Sequence, residues 1–210
     1  MYIVCLTYGI DTGYYMVLAP TQQTLRKFGA FNYQLLKDGE VWRLIAAAFL
    51  HFDLLQIVMS TISILFFVTQ LEQCYNPLVM AALMLVSAIS GNITTAVFGD
   101  IISLTVGAGS MVYGVLGGFF AFVTINWSTL YLIRSQLLCI IGMMTFFAML
   151  FSIGGIYGFA NFFGAFFGGF ACSLALFKPI KDRNVIMIGA GITGVVLYWL
   201  MMFLIFYLVV

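Results

Sequence analysis

The sequence predicts an all-α, polytopic membrane protein, and three observations carry that expectation. The 210 residues are 64% hydrophobic and 7% charged, where an ordinary soluble domain carries about 25% charged residues. The apolar residues lie in long continuous runs, unlike the short alternating segments of a β-barrel. The formal net charge is +1, which leaves no basic face for nucleic acid. An ordinary soluble enzyme, a nucleic-acid binder and a disordered regulator are excluded as classes. Most of the chain must sit in a lipid bilayer as helices that satisfy their own backbone.

A span takes about 20 apolar residues, so six or seven fit and one domain uses the whole length. Met1 to Ile10 is apolar but short, and Tyr14 to Ala19 is ended by Pro20. This part reads either as a short, strained first span over Met1–Ala19 or as the second half of a longer helix. A cleavable signal peptide is disfavoured, because the basic leading region is missing. Residues 20–43 form the most polar stretch and read as a structured interfacial loop. Leu25, Phe28, Phe31, Tyr33, Leu35 and Leu36 are too apolar for a disordered linker. Thr21 is placed to cap a short helix running through Phe28.

The second span runs from Leu44 to Leu71 and is closed by Glu72; the third runs from Pro77 to Val97. Gly99, Asp100 and Ser103 mark a loop. The fourth span covers Gly107 to Ile125, the fifth Leu130 to Ile153 and the sixth Gly154 to Phe177. Residues 178–184 form a charged loop, and residues 185–210 an additional C-terminal transmembrane helix. The eight Lys and Arg residues divide four against four between the two sides, so positive charge alone orients the chain weakly. The compact Lys178–Arg183 cluster favours that side as the inner one.

Four constellations stand out. Trp42-Arg43 puts an amphipathic anchor beside a donor to carbonyls at a span's mouth. Glu72 is a carboxylate at a span's end, where acids usually have a partner. Ser110/Gly114/Gly118 and Gly164/Gly168 are small-residue ridges of the kind that let helices approach closely in lipid. They predict that the fourth and sixth spans pack together. Cys5, Cys74, Cys139 and Cys172 contain no CxxC and read as small apolar residues. With one histidine, His51, and isolated acids, three convergent metal ligands are not available; neither metal nor cofactor is expected. Asp53 is close enough in sequence to pair with His51.

In their order, these features resemble the rhomboid family of intramembrane serine proteases. The resemblance runs from about Ala19 to Phe177. It includes Ala19-Pro20-Thr21-Gln22-Gln23-Thr24-Leu25, Gly29-Ala30, Trp42-Arg43, Phe49-Leu50-His51, Leu71-Glu72, Gly91-Asn92 and both glycine motifs. It implies a rhomboid-like domain over residues 1–177, a six-helix core with a short, central fourth span. The extra span at 185–210 is similar to the six-plus-one arrangement of secretory-pathway rhomboids.

The same resemblance implies where chemistry should lie. Active rhomboids carry Gly-x-Ser-Gly at the start of the fourth span; this chain reads Gly107-Ala108-Gly109-Ser110, followed by Tyr113. Gly109 therefore stands in the serine position, and Ser110 is rotated by about 100° on a helix. The family's base is a histidine in the sixth span, and that place holds Asn161. The oxyanion-side positions hold Gln56 and Ser60. An amide cannot take up and return the serine proton near pH 7.

The reading is a catalytically inactive rhomboid-like protein that binds transmembrane helices of client or partner proteins. One alternative is a structural subunit of a large membrane complex, motivated by 22 phenylalanines. A second is an active protease with a displaced dyad of His51 and Ser110. Secretory-pathway membrane and mitochondrial inner membrane both remain open as locations.

Overall fold

The computed structural model describes residues 1–11, 18–72, 74–98, 104–151 and 156–176, and positions 193, 196 and 200. The charged loop at 178–184 and most of the additional helix expected at 185–210 lie outside the described residues. The described residues are mostly helical, as the composition demands.

Where a first span was expected, Tyr2–Tyr8 forms a seven-residue helix, α1. It is only about 10 Å long. A two-stranded antiparallel ladder follows, β1 (Ile10–Asp11) with β2 (Ala19–Pro20). The polar stretch after it is structured, as expected. Thr21 accepts a hydrogen bond from Thr24 N at 3.3 Å and caps α2 (Gln22–Phe28). Gly29 ends α2 in a left-handed conformation, φ 114°, and donates back to Leu25 O. Two short helices follow, α3 (Tyr33–Lys37), capped by the Asn32 side chain, and α4 (Arg43–Ala46), which runs into a 3-10 turn at Ala47–Phe49.

The long helices are α5 (Leu54–Glu72), α6 (Pro77–Phe98), α7 (Gly109–Ile125), α8 (Arg134–Phe151) and α9 (Ile156–Leu176). Among the described residues three segments, Leu54–Glu72, Pro77–Phe98 and Gly158–Leu176, are long and apolar enough to cross a membrane by length and composition. The expected second span needs correction, because its helix starts at Leu54 and not at Leu44. Leu50 is extended (φ −99°, ψ 155°) and stops the 3-10 turn. Asp53 then accepts from Gln56 N at 2.7 Å and starts α5 afresh.

The 17-residue α7 is central and touches α5, α6, α8 and α9. Its packing on α9 is the expected pairing of the fourth and sixth spans, but the glycines divide differently. The α7–α9 contact uses Gly117 and Gly169: a Cβ on Gly117 would sit 2.9 Å from Phe170 N, and one on Gly169 2.6 Å from Gly114 Cα. Gly164 and Gly168 face α6 instead. Their added carbons would lie 2.8 Å from Ser90 O and 2.6 Å from Ser90 Cβ respectively. Gly118 meets Leu83 of α6 and Leu71 of α5. Leu71, Tyr75, Met80, Leu83, Val115 and Cys172 close one end of this core.

Candidate functional site

The site is built where the segment before α7 crosses the segment before α5. Gly107 adopts φ 120°, a conformation that L side chains rarely take. This lets its N–H donate to Ala47 O at 2.9 Å. Its bare α carbon admits the Gln56 carboxamide, since a Cβ there would lie 2.6 Å from Gln56 Nε2. Gln56 uses both ends of that amide. Phe52 N donates to its Oε1 at 2.7 Å, and its Nε2 donates to Val106 O at 3.2 Å. The side chain that the resemblance puts in the oxyanion-side position therefore clasps two segments of backbone. Ser60, one turn further along α5, is half-buried.

Gly109 is the first residue of α7. The atoms nearest to an added Cβ would be those of the Tyr113 side chain, at 3.6 Å and beyond, which is ordinary contact. Ser110 is buried and turned to α6, its Cβ 3.1 Å from where a Gly91 side chain would start. The rotation read from the helical repeat is thus what separates positions 109 and 110. Tyr113 meets Phe162 edge-on, ring centroids 5.1 Å apart.

Asn161 is buried on α9 next to Phe162. Its Nδ2 donates to Asn92 Oδ1 at 3.3 Å and to Thr95 Oγ1 at 3.2 Å. Asn92 Nδ2 in turn donates to Leu44 O at 2.8 Å. One polar chain thereby ties α9 to α6 and α6 to α4. Sequence reasoning listed Asn92 but gave it no role, and it missed Thr95. The signal was there: Asn92 and Thr95 lie three apart, hence on one face of an apolar helix.

His51 is buried in the break between the 3-10 turn and α5, and among the described residues neither ring nitrogen has a hydrogen-bond partner. The expected pairing with Asp53 does not form, because Asp53 caps α5. Burial pushes the imidazole below its ordinary pKa; the nearby Asp53 charge opposes this, and the N-terminal amine adds to it. His51 likewise makes no bond to Ser110, so the displaced dyad lacks the hydrogen bond a base must make with its nucleophile. Among the described residues no His, Cys, Asp and Glu side chains cluster as metal ligands.

The other motif residues brace the surroundings. Arg43 is buried and donates through Nε to Glu40 at 2.8 Å, and through one terminal nitrogen to Arg26 O at 2.6 Å and Ala30 O at 3.1 Å. It thereby satisfies carbonyls at the end of α2. Its guanidinium also lies over the Trp42 ring, 4.7 Å from the centroid. The Trp42 ring rests on Gly29, where a Cβ would be 2.6 Å away. Glu72 departs from expectation: it is exposed and has no ion-pair partner among the described residues.

The rhomboid domain family model matches residues 38–179. RHOMBOID-like protein 4 of Arabidopsis thaliana is 30% identical over 161 residues, 76% of this chain and 39% of that protein. Inactive RHOMBOID-like protein 8 of the same plant is 29% identical over 167 residues, 78% of this chain and 46% of its own length. Rhomboid-like protease 3 of Toxoplasma gondii is 28% identical over 167 residues, 78% of this chain and 62% of that protein. The chain thus spans from about two fifths to three fifths of the length of these relatives. They include a protein named as a protease and one named as inactive. With a buried glycine-packed core, the order of its motifs and a domain match over most of its length, this membrane protein belongs to the rhomboid family.

Proposed function

We propose that the chain is a catalytically inactive rhomboid-like protein that holds transmembrane helices of client or partner proteins. The observation that carries this is the Asn161 carboxamide, spent as a donor to Asn92 and Thr95 in the place of the family's base. Gly109 offers no nucleophile opposite it. The Gln56 clasp supports the same reading, because its amide is bound to backbone on both sides. Removing a triad member from a serine protease costs several orders of magnitude in rate, and here neither partner of a dyad is present. The test is incubation of the reconstituted protein with a panel of transmembrane substrates, with crosslinking in native membranes run alongside. No cleavage and recovery of crosslinked membrane-spanning partners are expected. Cleavage that disappears in Ser110→Ala overturns the reading.

A structural subunit of a membrane complex is the second reading. It is favoured by the aromatic ladder on α9, where Phe163 and Phe167 are exposed and stack with centroids 6.4 Å apart. A native mass with fixed stoichiometry in mild detergent would favour this reading over a loose mixture of clients.

A further inference from the structure

A run of tight turns over residues 126–133 joins α7 to α8. Leu130 N donates to Asn126 O at 2.9 Å, and Arg134 N donates to Leu130 O at 2.8 Å. Asn126 is buried, but the side chains after it are not. Trp127 and Ile133 are about half exposed, Tyr131 is 64% exposed and Leu132 76%. The Arg134 guanidinium lies over the Trp127 ring, 4.5 Å from its centroid. That stack fixes the plane of the cation but uses none of its N–H groups. Among the described residues no carboxylate pairs with it. Between Glu72 and Asp182 the sequence holds a single acid, Asp100. Among the described residues, a positioned cation without an anionic partner therefore sits at the shared end of two apolar helices, beside four large exposed side chains.

A guanidinium fork matches the paired oxygens of a phosphate. Trp and Tyr favour the headgroup level of a bilayer, and Leu and Ile the acyl boundary beneath it. We propose that residues 127–134 bind an anionic phospholipid. Arg134 donates to its phosphate, Trp127 holds the guanidinium flat, and Tyr131, Leu132 and Ile133 enter the boundary between headgroups and acyl chains. A free phosphate would supply the same oxygens but leave the apolar side chains in water; the lipid covers both. The inference is independent of the inactive-protease reading, because none of these residues belongs to the site around Gly109 and Asn161.

The test uses the full chain in detergent micelles with photoreactive phosphatidylglycerol or phosphatidylcholine, the labelled peptides being mapped by mass spectrometry. Phosphatidylglycerol should label the peptide spanning 127–134 more strongly than phosphatidylcholine. Arg134→Gln should weaken that labelling about fivefold, the effect expected of one cation at an anionic surface. Arg134→Lys, which keeps the charge and loses the fork, should fall between. The unfolding midpoint of Arg134→Gln should match the parent. Equal labelling in Arg134→Gln overturns the proposal, and so does displacement of the lipid by the same concentration of inorganic phosphate.

Discussion

Asn161, His51 and Arg43 are three buried polar residues in three different conditions, and each has its own expected consequence. Asn161 is satisfied by two side chains, so Asn161→Ala should lower stability by about 1–2 kcal/mol, read as a lower unfolding midpoint in detergent. His51 is unsatisfied, and His51→Leu removes a polar group that bonds to nothing. That variant should be as stable as the parent or more so, with a midpoint that does not fall. The sign of the pH dependence follows from the depressed imidazole pKa. The unfolded chain takes up the proton first, so the His51 contribution is complete above about pH 6.5. It is lost as pH falls through the lower folded value. The midpoint of the parent should therefore drop on acidification from pH 7 toward pH 5 more than that of His51→Leu. Arg43 bonds through a planar fork to a carboxylate and two carbonyls, so Arg43→Lys should not rescue what Arg43→Ala loses. The sequence disclosed the identity of these residues and the absence of an imidazole at 161. It did not disclose that Asp53 would be spent as a cap, because the same side chain can serve either a neighbour's ring or a helix start.

The helices were legible from their apolar runs to within a few residues at most ends. The exceptions were the first segment, where Tyr2–Tyr8 stands in place of a span over Met1–Ala19, and the stretch between Leu44 and Leu54. Leu50 and Phe52 are as apolar as any membrane residue, and the polar residues of the break, His51 and Asp53, fit a pair at a span's entrance as well as they fit a break and a helix cap. Glycine spacing forecast close packing of two helices, but periodicity cannot say which neighbour fills a groove. Gly164 and Gly168 serve α6, whereas Gly117 and Gly169 serve α7 and α9. Gly164→Leu should cost more than about 3 kcal/mol by forcing α9 off α6, seen as loss of folded protein in a detergent-stability assay. Gly142 in α8 is the control: nothing lies within 4 Å of an added Cβ. Gly142→Ala should raise stability by up to about 1 kcal/mol, the ordinary helix preference.

At the scale of the whole molecule, the match to the rhomboid family meets a set of contacts around positions 109 and 161 that support the proposed inactive reading. A serine at position 109 would find room beside Tyr113. Gln56 would still be bound to Phe52 and Val106, and a histidine at 161 would lose the bonds to Asn92 and Thr95. The double variant Gly109→Ser with Asn161→His should therefore fold yet cleave transmembrane substrates poorly; robust proteolysis by it would contradict this account. The order of synthesis adds a last point. A rod of about 25 Å, packed against four neighbouring helices, has no complete set of flanks while the ribosome is still working. Gly117 stays bare until the chain beyond Ile156 arrives to cover it. Any nascent chain stopped short of that point is an unfinished bundle, and the cell's membrane proteases should treat it as one.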